Sequence, residues 1–130
     1  MPDEMQGRSV LPLISAPRSD WRDDLMIQIS ESQTARALRT KRWKYAVSAP
    51  EGIVAAAAET YGETALYDLA HDPYELENLI GCASHAEVAA ALRERLLAQI
   101  AEFEGQSPEI TPAPDRPTLG QRSVGAGDIV

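Results

Sequence analysis

Between Ser84 and Gly105 the sequence encodes one long amphipathic helix, and whatever precedes it must cover that helix's apolar face. Ser84 and Glu87 have the spacing of a capping box, in which hydroxyl and carboxylate each satisfy an orphan backbone donor. Val88, Leu92, Leu96, Ile100 and Phe103 recur at helical spacing, and Gly105 stands where a C-terminal cap belongs. The spacing predicts a helix of about five turns.

The preceding residues are patterned with period two instead. Leu25, Ile27 and Ile29 alternate with Met26, Gln28 and Ser30, as in a half-buried strand. Ala35 to Thr40, alternating small and basic residues, is a second strand of less regular pattern. Trp43, Tyr45 and Val47 face one way and Arg42, Lys44 and Ala46 the other, and the short link from Thr40 to Arg42 makes strands two and three a hairpin. Residues 48–64 hold Pro50, Gly52 and Gly62 around four consecutive alanines and read as a loop, with one helical turn at Val54 to Glu59 as the alternative. Leu66 to Leu69 forms a fourth short strand, ended by Asp72-Pro73.

The expected fold is therefore α+β, a small antiparallel sheet of about four strands packed against one long C-terminal helix, within residues 24–105. Residues 1–23 mix Pro, Gly, Ser and charge around a short apolar patch, Val10 to Ile14, and read as a segment that leans on something else rather than an independent element. Residues 106–130, with Pro108, Pro112, Pro114 and Pro117, read as a disordered tail. One helix covers one face of a sheet. The second face must be shielded by charge, by another chain or by a further domain.

A formal charge of −8 excludes the chain as a whole from binding nucleic acid, since phosphate neutralisation needs a basic surface. No apolar run approaches the roughly 20 residues that span a bilayer, and Met1-Pro2-Asp3-Glu4 is acidic where a signal peptide is basic. The expectation is a soluble chain without membrane or export signal, cytoplasmic by default. Cys82 is the single cysteine, which excludes a disulfide within the chain and a two-thiol metal site.

The basic run Arg36, Arg39, Lys41, Arg42 and Lys44 reads first as the solvated face of an edge hairpin, and second as an anion site with Arg39 and Lys41 as the candidates. Asp20, Asp23 and Asp24 lack the spacing and glycine of a calcium loop and read as loop acidity. His71 reads as turn chemistry beside Asp72, and His85 as exposed helix surface; neither has a nucleophile paired with it. Cys82 near a helix N-terminus has no evident partner, and no serine sits in a Gly-x-Ser-x-Gly elbow. The residues alone compose no catalytic constellation.

Several segments together resemble the end of type I sulfatases of the alkaline phosphatase superfamily. Gly7-Arg8-Ser9-Val10-Leu11-Pro12-Leu13 is similar to the stretch that closes their catalytic domain, and Arg39-Thr40-Lys41-Arg42-Trp43-Lys44-Tyr45 to their basic hairpin. Leu66-Tyr67-Asp68-Leu69, Asp72-Pro73, Glu75 and Asn78-Leu79 resemble their C-terminal signature, and the helix from Ser84 sits where they place their final helix. Asp68, Pro73 and Asn78 are turn formers, so the signature is read as structural.

The resemblance implies the C-terminal structural and substrate-rim domain of a sulfuric ester hydrolase, whose partners are a missing or separate sulfatase catalytic domain and a sulfated substrate. It places a rim contribution at Glu31 to Arg36, with Glu31, Gln33 and Arg36 as candidates. Family members generate their nucleophile in Cys-x-Pro-x-Arg or Ser-x-Pro-x-Arg. Cys82 is followed by Ala83, Ser84, His85 and Ala86 and does not match. Calcium or a similar divalent cation is expected only in an intact relative, with no cofactor in this chain, which is not expected to be catalytic alone. The alternatives are a stand-alone module that binds an anionic glycan or a separate catalytic protein, and a remnant without function.

Overall fold

The computed structural model describes residues 7–16, 21–117, 120 and 123–129. Five strands, β1 (Asp24–Ile29), β2 (Ala35–Thr40), β3 (Trp43–Ser48), β4 (Thr60–Asp68) and β5 (Glu109–Thr111), form one sheet in that order. The first four are antiparallel neighbours, and β5 lies parallel to β4. A short helix α1 (Leu11–Ser15) precedes the sheet, and the 19-residue α2 (Ala86–Glu104) lies across one face. The α+β class is as expected, but the sheet is mixed and has five strands.

The β2–β3 hairpin turns where the sequence places it. Thr40 Oγ1 accepts bonds from the backbone N–H groups of Trp43 (2.9 Å) and Arg42 (3.3 Å), which fixes the reversal. Trp43, Tyr45 and Val47 are fully buried and meet Val88, Leu92, Leu96 and Ile100 of α2. Each such side chain stabilises the fold by about 1.5–3 kcal/mol through burial.

Two helix details depart from expectation. A 3₁₀ turn, Ala83–His85, precedes α2, and the cap position falls on His85, which makes no side-chain capping bond. Phe103, the last residue of the expected stripe, is exposed, whereas Gly105 ends the helix in the left-handed region at φ +66° as foreseen.

Strand β4 begins at Thr60, six residues before the expected Leu66. Its register against β3 shifts between Ala46 and Val47, which pair with Ala65 and Glu63. Thr64 is the extra residue, and its hydroxyl bonds Ala46 O at 3.1 Å. This bulge breaks the period-two pattern and makes Gly62-Glu63-Thr64 read as loop.

After Gly105, several described residues of the expected tail are paired with the domain. Ile110 is buried on the core, Glu109 N–H donates to Glu59 O at 2.9 Å, and Arg116 N–H donates to Gly81 O at 2.9 Å. Proline-rich composition forbids a helix or a central strand but allows an edge strand. Here Pro108 and Pro112 flank β5 rather than interrupt it.

Strand β1 is the other edge, and its apolar row faces away from the helix. Leu25, Ile27 and Ile29 remain 47%, 45% and 41% exposed, beside Ala35, Ala37 and Arg39 of β2. In α1, Val10, Leu11 and Ile14 are also exposed, and no residue of that helix is buried.

Candidate functional site

At the end of the sheet where α2 terminates, two loops run side by side: residues 30–34 between β1 and β2, and residues 49–59 between β3 and β4. Thr34 joins them, its hydroxyl donating to Ala55 O (2.9 Å) and accepting from Ala55 N–H (2.8 Å), while Ala49 N–H donates to Thr34 O (2.8 Å). Glu31 and Gln33 project from the first loop and are exposed. Ile53 and Val54 form an exposed apolar tip on the second.

Arg36, the third rim candidate, points the other way. It is 1% exposed, and its Nε and Nη2 donate to the two Glu104 carboxylate oxygens at 2.7 and 3.1 Å. The same guanidinium donates to Ala56 O at 2.6 Å and Ala35 O at 2.8 Å, and its face lies 5.9 Å from the Tyr61 ring. Its geometry ties loop 49–59 to the C-terminal end of α2.

The basic run is largely taken up by pairing within the domain. Arg36 pairs with Glu104, Lys41 with Asp23 at 3.5 Å, Arg42 with Asp68 at 2.7 Å and Lys44 with Glu75 at 2.5 Å. Arg39, on the bare face, donates to Thr40 O. Among the described residues no group of three or more His, Cys, Asp or Glu side chains could hold a metal ion. Asp20 lies outside the described residues.

The Asp68–Leu79 segment is a built turn. Asp68 accepts from Arg42 Nε (3.0 Å) and Nη2 (2.7 Å), from Ala70 N–H (3.2 Å), and lies 3.0 Å from His71 Nδ1. Glu75 occupies the left-handed region at φ 56°, a conformation that carries strain in a non-glycine residue; its carboxylate is held by Lys44. Asn78 completes the edge of β4: its Oδ1 accepts from Leu66 N–H (3.0 Å) and its Nδ2 donates to Thr64 O (2.9 Å), as a neighbouring strand would. Cys82 is buried at the end of this segment.

Burial alone would raise the Asp68 carboxyl, but the bonds and charge of Arg42, with His71 adding to them, outweigh it and hold the group below its ordinary 3.8. A carboxylate depressed in the fold adds stability that is present above its unfolded pKa and lost as pH falls through the folded one. Denaturant unfolding between pH 7 and 2 is expected to show this acid loss below about pH 4, and Asp68→Asn is expected to flatten that part of the profile. An unchanged profile in the variant would remove Asp68 from the acid response.

Sequence reading missed a second buried cluster, around Glu63. This carboxylate, 3% exposed, accepts from Tyr45 Oη (2.9 Å), Arg93 Nε (2.9 Å) and Nη2 (2.7 Å), and the backbone N–H of Ala113 (2.9 Å). It joins β3, β4, α2 and the tail. The only signal in the sequence was an arginine directly after Leu92 of the apolar stripe. His85 was also misread: it is buried rather than exposed, and stands edge-on to Trp43 with ring centroids 6.0 Å apart.

No helix among the described residues is long and apolar enough to cross a membrane. A search of curated proteins returned no match. Among solved structures, the chain is similar to BT4656, determined in complex with its substrate D-glucosamine-2-N,6-O-disulfate. The TM-score is 0.66 at 21% identity, over 83% of this chain and 22% of that one. It is also similar to yidJ of Bacteroides fragilis, described as a sulfatase, with a TM-score of 0.61 at 19% identity over 79% of this chain and 21% of that one. The chain thus spans about a fifth of the length of these structures, and at such identity the likeness shows the fold. The family model described as N-sulphoglucosamine sulphohydrolase, C-terminal, matches residues 1–102. Together with the hairpin, the Asp68–Leu79 turn and the terminal helix, that match shows that the chain belongs to the sulfatase C-terminal domain family.

Proposed function

We propose that this chain acts as the C-terminal subdomain of a sulfatase, docking against a catalytic domain and adding Glu31 and Gln33 to the rim of a pocket for a sulfated sugar. The observation that carries the reading is the bare sheet face. Leu25, Ile27 and Ile29 form an exposed apolar row on an edge strand that has neither proline nor lysine to blunt it, beside a floor of small alanines. Such an edge invites a partner. The exposed apolar side chains of α1 call for cover of the same kind, and about four-fifths of the length of the matched sulfatases lies outside this chain.

In this reading residues 1–23 are the joint to the catalytic domain, and Arg36 positions the rim loops rather than touching substrate. The formylglycine nucleophile and the divalent cation do not fit the residues of this chain, which has no matching Cys or Ser motif and, among its described residues, no ligand cluster. Both belong to the catalytic partner. The sulfated glucosamine held by BT4656 makes an N- or O-sulfated amino sugar the substrate class to examine first.

Ile27→Lys tests the docking face. Because Ile27 is half exposed, the variant is expected to melt within a few degrees of the parent, yet to lose at least tenfold in affinity for the catalytic domain from the same genome, measured by calorimetry. Equal affinity of parent and variant would rule out this face as the interface.

A further inference from the structure

The tail described at residues 109–117 and 123–129 lies outside the family match, yet it is fastened across the domain. Its proximal part is held by β5, by Ala113 N–H on Glu63, and by Arg116, whose Nε donates to Ile80 O at 2.8 Å. Gly81 is required there: a Cβ on it would lie 2.4 Å from Pro114 O. The distal part, residues 123–129, is held more lightly. Val124 N–H donates to Ser84 O (3.0 Å), Trp43 Nε1 donates to Asp128 O (2.7 Å), and Arg42 reaches the Asp128 carboxylate at 3.5 Å.

We propose that this tail is a clasp, anchored by residues 109–116, whose distal end closes over His85 and is released when that imidazole takes up a proton. His85 is 4% exposed, its Nδ1 lies 2.8 Å from Ser84 Oγ, and its ring makes a T-shaped contact with Trp43. It borders a crevice of about 330 Å³ whose wall on the tail side is Val124 and Asp128. The charged and titratable groups around it are Arg42 from the β2–β3 turn, Asp68 from β4, His71, Asp72 and Glu77 from the turn after β4, and Asp128 from the tail. Asp68 is already engaged by Arg42 and His71, and burial is the largest influence on the imidazole.

Burial therefore holds His85 below its ordinary 6.5, the attraction of Asp68 and Glu77 only partly opposing it. Opening the distal end admits water and restores the ordinary value, so proton uptake favours the open form as pH falls below 6.5. The inference does not depend on the docking role proposed above.

Hydrogen exchange of the full chain from pH 8 to 5, corrected for intrinsic rates, tests it. Residues 109–116 are expected to stay protected throughout. Residues 123–129 are expected to be protected at pH 8 and to open progressively more as pH falls below about 6.5. His85→Gln is expected to flatten that slope. If His85→Gln does not fold, Asp128→Asn is expected to raise opening at every pH without moving the midpoint. Free-chain exchange of residues 123–129 at pH 8, the parent slope in His85→Gln, or unchanged opening in Asp128→Asn would overturn the proposal.

Discussion

Arg36→Ala is expected to lower the stability of the domain by about 3–5 kcal/mol, because it leaves Glu104 with an uncompensated charge at the edge of the core. Arg36 is the more deeply buried partner, and both Glu104 oxygens accept from it. Its loss also strips the donors from the carbonyls of Ala56 and Ala35, so loop 49–59 is released from the helix end. Urea denaturation at pH 7 measures the effect. Changing Arg36 and Glu104 together to methionine is expected to recover part of the loss, since no unpaired charge then remains. A cost below about 1 kcal/mol for Arg36→Ala would show that the pair is screened like a surface ion pair.

Trp43→Ala is expected to cost about 3–5 kcal/mol as well, through a different mechanism. The indole is fully buried at the centre of the sheet, edge-on to His85, with the Arg42 guanidinium 4.8 Å from its ring centroid. Truncation opens a cavity that the β2–β3 hairpin cannot close by collapse. Trp43→Phe keeps most of the apolar volume and loses only the N–H that reaches Asp128 O. The milder variant is therefore expected to cost much less, and to free residues 123–129 while β2 and β3 stay protected. Equal costs in the two variants, read from thermal or urea unfolding, would contradict this division.

The parts of the fold legible in the sequence are those where one period dominates. The stripe from Val88 to Ile100 and the alternation from Trp43 to Val47 each place a whole face in the core, and both faces are buried. Gly105 was readable because few residues but glycine end a helix in the left-handed region. Where two requirements compete, the pattern blurs. The bulge at Thr64 hid the first half of β4, and the prolines beside β5 gave an ordered edge strand the composition of a free tail.

The site was less legible than the fold. Arg36 and Arg39 occupy equivalent places in a basic run, yet one lies inward against Glu104 and the other on the bare face. Their spacing of three along a strand puts them on opposite faces, so the run was never a single patch. The long-range partners Glu63 with Arg93, and Trp43 with Asp128, are 30 and 85 residues apart and leave no local signature. The family's ordered segments carried the reading across that gap, since they follow the turn and hairpin geometry that the structure shows.

The measurement that bears most directly on the subdomain role is sulfate release from N-sulfated glucosamine in the presence of calcium. It should be followed for the chain alone, for the catalytic domain alone, and for the two expressed together. The expected result is no turnover by the chain alone, and turnover in the joint sample that exceeds the catalytic domain alone and falls with Ile27→Lys. Metal-dependent turnover that copurifies with the chain alone, or a catalytic domain indifferent to its presence, would contradict that role.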